Sequence, residues 1–189
     1  MSITVALTLL LFSLFLFLFL CLCLSTVAEK IAHRFFICDD SGSMAHNDGC
    51  RLYEMGNKFS QVQCSRWDEL VDMLHFHIGL SKAANSACDF RMLNGLTPKR
   101  VGVKEVDPDN IAEKALLKAF ENGPSSMTPM CTVLTKVVKE IQANEAWLRQ
   151  DGLTVSLIIA CDGQASDGNI AMVMKPLEKL PVDIVIRLC

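Results

Sequence analysis

Aromatic residues are scarce in this chain of 189 residues, with one Tyr and two Trp, and basic residues are outnumbered: 18 Lys plus Arg face 21 Asp plus Glu, a net charge of −3. No basic stretch is interleaved with aromatics, so the electrostatic footprint of a nucleic-acid binder is missing. No C-x-x-C pair occurs, which removes the usual zinc-ligand spacing, and there is no Asn-x-Ser/Thr sequon. A Gly-rich phosphate loop is absent, as is any ordering of Ser, His and Asp that would build a nucleophilic triad. Lys and Arg are also missing ahead of the first apolar run, so a secretory signal would lack its positive n-region.

That run, Ile3 to Leu24, is almost wholly apolar and matches the roughly 20 residues that span a bilayer. Residues 1–28 form a hydrophobic leader that admits three readings. It is a signal peptide cleaved near Thr26-Val27-Ala28, an uncleaved signal anchor, or a pyrimidine-rich tract translated as if it were coding. The third reading follows from Leu11 to Ser25, which uses only Leu, Phe, Ser and Cys. The first two imply a secreted or membrane-anchored protein, with membrane contact only through this segment; the third implies a cytoplasmic one. Nine cysteines are present, seven of them outside the leader, and their odd count and irregular spacing do not make a disulfide framework. With the missing sequons, this leans toward a reducing compartment.

Residues 31–189 suit one domain with a sizeable core. Ala32 to Cys38 is a short apolar run that predicts a central strand. Met44 to Ser65 is polar, contains Gly49, Gly56 and Asn57, and reads as a long loop. Arg66 to Lys82 carries Trp67, Leu70, Val71, Leu74 and Ile78 at helical spacing, with Ser65 as N-cap and Asp68 and Glu69 in the first turn. Cys88 to Leu93 predicts a second strand, Asn94-Gly95 a turn, and Arg100 to Val106 a returning strand. A helix is expected from Pro108 to Asn122, stopped by Gly123-Pro124. A longer one is expected from Pro129 through Gln150. Leu153 to Ala160 predicts a strand covered on both faces. Asn169 to Leu180 reads as a helix kinked or ended around Pro176, and Val182 to Leu188 as a last buried strand. Strands alternating with helices define an α/β class, Rossmann-like and doubly wound, with a mostly parallel sheet flanked by helices.

Asp39-Asp40-Ser41-Gly42-Ser43 follows the first predicted strand. One carboxylate and two hydroxyls at alternate positions suit a hard cation that takes oxygen ligands and keeps some of its waters. Asp162-Gly163 follows another strand, Leu157-Ile158-Ile159-Ala160, and Thr128-Pro129 opens a helix between them. Ligands of open α/β sheets bind beyond the carboxyl ends of the strands. If the two strands are neighbours, Asp39 and Asp162 face one crevice.

These three pieces, in this order, resemble the von Willebrand factor type A domain family, over Ala32 to Cys189, nearly all of the presumed domain. The resemblance implies a metal-ion-dependent adhesion site. Ser41 and Ser43 would bind the cation directly, Asp39 directly or through water. Thr128 would enter or leave the coordination sphere, and Asp162 would act through water. The ion implied is Mg²⁺, with Mn²⁺ or Ca²⁺ as alternatives, and the partner is a protein presenting an Asp or Glu carboxylate to the open position. Family domains continue past the strand matching Val182 to Leu188, so the resemblance also implies either a domain truncated after its fifth strand, the favoured reading, or a partner that covers that edge.

Three smaller expectations accompany this reading. Asp167 caps a helix or braces its loop instead of binding the ion; Asp40 points away from the ion; and Cys131 has nothing nearby to activate it. His33 and His46 stand isolated, and His75 with His77 share no helix face. The function expected is non-catalytic capture of an acidic partner residue, with the Met44 to Ser65 segment framing the surface. The rival is a Mg²⁺-dependent phosphohydrolase of haloacid dehalogenase-like layout. That chemistry needs a second Asp two residues after the first as general acid, and Ser41 stands there.

Overall fold

The computed structural model describes residues 30–55, 58–95 and 98–188. The leader, whose three readings all concern residues 1–28, lies outside them. Among the described residues no helix is long and apolar enough to cross a membrane. Strand β1 (Ile31–Cys38) leads into a short 3-10 turn, Gly42–Ala45, and a pair of strands, β2 (Gly49–Met55) and β3 (Lys58–Cys64). Helix α1 (Arg66–Ala83), β4 (Cys88–Met92), β5 (Lys99–Val101), α2 (Ile111–Glu121), α3 (Met130–Ala143) and α4 (Glu145–Gln150) follow. The chain closes with β6 (Thr154–Cys161), α5 (Ile170–Met174), a 3-10 turn over Lys175–Lys179, and β7 (Val182–Leu188).

Five strands form one sheet in the order β5-β4-β1-β6-β7. All pairings are parallel except β4 with β5. The expected α/β class with a mostly parallel, helix-flanked sheet is what the chain adopts. Side chains of β1 alternate between two cores, as a two-faced strand requires. Phe35 and Ile37 pack with Met130, Leu134, Val137 and Ile141 of α3, while Phe36 and Cys38 pack with Leu70 and Leu74 of α1 and Leu116 of α2. From β1 the chain moves to β4 on one side and later to β6 on the other. The switch point therefore lies between the carboxyl ends of β1 and β6.

Ser65 caps α1 as expected: its hydroxyl accepts from the Asp68 amide, and the Asp68 carboxylate answers the Ser65 amide in a capping box. Trp67, Leu70, Leu74 and Ile78 make the buried stripe.

Several boundaries differ from the sequence reading. The segment Met44 to Ser65 is not a plain loop, because β2 and β3 pair antiparallel from Gly49↔Cys64 to Met55↔Lys58. Gly56 and Asn57, which the sequence reading placed in that loop, lie outside the described residues. The returning strand is shorter than expected, since Gly102 takes a φ of +103° where a Cβ would come within 2.6 Å of the Ser81 Cβ. The helix expected from Pro108 starts at Ile111: the Asp107 carboxylate accepts from the Ala112 and Glu113 amides (3.1 and 3.0 Å), and Asn110 turns left-handed. The helix expected through Gln150 breaks at Asn144, whose side-chain amide donates to the Glu140 carbonyl (2.8 Å) and competes with the helical ladder. β7 is not buried as expected: Ile184, Val185 and Ile186 are 40%, 52% and 58% exposed. Finally, His33 is not isolated, for it bonds Asp89, and Arg100 reaches both.

Candidate metal centre

Asp39 follows β1 directly, and its amide donates to the Ala160 carbonyl of β6 (3.0 Å), so the first loop leaves the sheet at the switch point. Its carboxylate is fully buried. Oδ1 accepts from the Ser41 amide at 2.9 Å, and Oδ2 is buried with no hydrogen-bond partner among the described residues. Burial pushes the Asp39 carboxyl above its ordinary range, against the lowering from the Ser41 hydroxyl, the Ser41 amide and, least of all, the Asp162 amide; the nearby Asp162 charge adds to the rise. The Ser41 hydroxyl lies 3.1 Å from that of Ser43, and Ser43 Oγ donates to Asp162 Oδ1 at 3.0 Å. Asp39, Ser41, Ser43 and Asp162 thus form one continuous chain of contacts across residues far apart in sequence.

Thr128 sits half-buried on the adjoining loop and is held there by its backbone. Its carbonyl accepts from the Ser166 and Met130 amides (2.9 and 2.8 Å), and its amide donates to the Ser166 hydroxyl at 3.2 Å. The structure brings the Thr128 loop against the Asp162 loop, but the Thr128 hydroxyl bonds to none of the other four residues. Asp40 turns the other way. Its Oδ1 accepts from both the backbone and side-chain amides of Asn94 (3.0 Å each), and its carbonyl accepts from the Ser125 amide at 2.7 Å. With Gly42 donating to the Ser126 carbonyl (3.1 Å), these bonds fasten the first loop to residues 125–126. Burial raises the Asp40 carboxyl, and its Asn94 bonds oppose that rise.

Asp167 is a brace, as its sequence position suggested. Its carboxylate accepts from the Cys131 and Thr132 amides (2.9 and 2.8 Å) at the start of α3. Burial would raise that carboxyl, yet the Thr132 and Cys131 bonds carry it below the ordinary range. Cys131 itself is pushed up by burial and by Asp167, which leaves it unactivated.

Two residues at the corner escaped the sequence reading. Arg66, the first residue of α1, donates from Nη1 to Asp162 Oδ2 at 2.7 Å and from Nε and Nη2 to Asp48 at 2.6 and 2.5 Å. Its amide meets the His46 carbonyl at 3.0 Å. The Asp48 and Asp162 bonds hold the guanidinium further toward its charged form, and the Arg66 bond lowers the Asp48 carboxyl. A cation placed directly after an N-cap was a visible signal. Its partners, 18 and 96 residues away, were not.

Among the described residues no group of three or more His, Cys, Asp or Glu converges as a metal cage. The donor set at the switch point is instead carboxylate and hydroxyl, which suits a hard divalent ion that keeps several waters. The orphaned Asp39 Oδ2 fits such an ion, since a buried carboxylate oxygen without a partner is costly. No protein-family model matches this sequence, and no curated protein matches it significantly.

Proposed function

We propose that the domain is a non-catalytic binding module of the von Willebrand factor type A kind, which captures an acidic residue of a partner protein through a divalent ion at the β1–β6 switch point. Asp39, Ser41 and Ser43 would hold the ion, with Asp162 and Thr128 reached directly or through water. Mg²⁺ is the ion preferred for this oxygen set, and Mn²⁺ and Ca²⁺ share its ligand chemistry. The single observation that carries the reading is the fully buried Asp39 carboxylate whose Oδ2 has no partner beside the Ser41–Ser43–Asp162 chain. An ion with few direct carboxylates stays electrophilic and attracts a further anion from outside. Ser43 is exposed, so that open position faces solvent.

The test is thermal. Millimolar Mg²⁺ should raise the Tm of the wild-type domain by several degrees, the scale on which saturating ligand stabilises a fold. Asp39→Asn and Asp162→Ala should each remove most of that shift. No shift in wild type, with Asp162→Ala behaving the same, ends this reading.

A further inference from the structure

We infer that Arg66 is the residue that keeps Asp162 in the outer coordination sphere of the metal corner, and that it supplies the positive charge by which the loaded corner attracts an anionic partner. This rests on the metal reading given above. Arg66 Nη1 donates to Oδ2 of Asp162 at 2.7 Å, while the Ser43 hydroxyl donates to Oδ1 at 3.0 Å. The Asp162 side chain is 3% exposed, so it has little room to swing toward an ion without breaking a bond to one of them. A divalent ion brought to this corner is neutralised on paper by Asp39 and Asp162 together. Arg66 then leaves the loaded site with net positive charge.

The counterweight is Asp48. It takes two bonds from the same guanidinium, but its side chain is 57% exposed, so water screens much of its charge. Arg66 is therefore shared unequally. Asp48 anchors it at the root of the β2–β3 hairpin, and its remaining donor rests on the buried carboxylate. Since Arg66 also meets the His46 carbonyl through its own amide, the cation is fixed to the loop that follows the first ligand segment. An arginine so placed repels the incoming metal ion somewhat and rewards the anion that follows it. The site is thus tuned toward a weakly held ion that gains affinity when a carboxylate arrives.

The two members of the pair move metal affinity in opposite directions, which no merely structural role does. Mn²⁺ is the probe, its binding followed by electron paramagnetic resonance and its bound waters by water-proton relaxation. In Arg66→Gln, Asp162 is released and the like charge removed. Mn²⁺ should bind about tenfold tighter, with about one fewer bound water. In Asp48→Asn the guanidinium turns its whole charge onto Asp162, and Mn²⁺ should bind severalfold more weakly. Circular dichroism checks beforehand that each variant is folded. Weaker binding in both, or an unchanged affinity and water count in Arg66→Gln, overturns the assignment of Arg66 while leaving the metal reading intact. A wild-type domain that takes up no Mn²⁺ overturns both.

Discussion

Asp39 stands at the centre of what single residues decide here. Its carboxyl is raised by burial, so its protonated form is favoured in the folded state relative to the unfolded one. The sign of the linkage follows. The contribution of Asp39 to metal-free stability is fully present below its unfolded value of 3.8 and is lost as pH rises through the raised folded value. Asp167 and Asp107, both lowered, work in the opposite direction, so the comparison must be with a variant and not with total stability. Denaturant unfolding of wild type and Asp39→Asn without metal should show wild type gaining on the variant as pH falls from 7 toward 4. A difference that is flat or reversed over that range would mean the carboxylate is satisfied in some other way. At this scale the sequence spoke clearly for Asp39, Ser41, Ser43 and Asp162, because their types and their places after apolar runs are local information. It also marked Asp167 as a helix cap or loop brace, and the carboxylate braces the start of α3. It was silent on Arg66, whose role depends on Asp162 arriving from 96 residues away. Thr128, expected to enter or leave the coordination sphere, is positioned by its backbone and by Ser166, and its hydroxyl bonds to none of the other four residues.

Among elements, the hairpin was the least legible. Apolar and polar residues are mixed in its strands without strict alternation, so no hydrophobic periodicity announced them. The Gly56-Asn57 dipeptide of the sequence was the available signal. The register is set at the root, where Gly49 lies against the entry to α1: a Cβ there would come within 2.8 Å of the Ser65 carbonyl oxygen and 3.0 Å of the Arg66 amide. Backbone cannot give way as a side chain can. Gly49→Ala should therefore displace the hairpin from α1 and lower stability by about 1–3 kcal/mol, the cost of overpacking, measured by urea unfolding. If Gly49→Ala matches wild type in both stability and hydrogen exchange over residues 49–64, the hairpin is not held at that point. Helix starts and stops were misread for a related reason. Asp107 caps α2 from outside, and Asn144 cuts the long helix by bonding to Glu140. Both are side-chain contests with the backbone that hydrophobic spacing does not register. Long, strongly patterned pieces such as β1, α1 and β6 were readable because burial on one or two faces dictates their composition.

On the scale of the whole molecule, the parallel sheet and its switch point followed from the alternation of strands and helices, and the neighbouring of β1 and β6 completed the crevice. What the pattern misjudged was β7. Its apolar residues promised burial, yet they stand largely exposed at the sheet edge among the described residues. An exposed apolar edge strand invites pairing with another chain. Val185→Lys should reduce self-association of the purified domain at micromolar concentration, read by light scattering, while lowering Tm by no more than a degree or two, as exposed substitutions do. Unchanged scattering would show that this strand is covered in solution.

The bond from Ser43 to Asp162 spans 119 residues, and the Arg66 bond spans 96. Contacts of such separation pay their loop-closure entropy late, after the local helices have formed. The corner is therefore expected to assemble late, once both halves of the sheet have met. A fragment ending before β6 lacks Asp162, and one starting after α1 lacks Asp39, Ser41, Ser43 and Arg66, so neither can close the bonds between the two halves. Under the proposed metal reading, ion uptake would follow completed folding, and a bound ion should slow unfolding while leaving the first collapse unchanged.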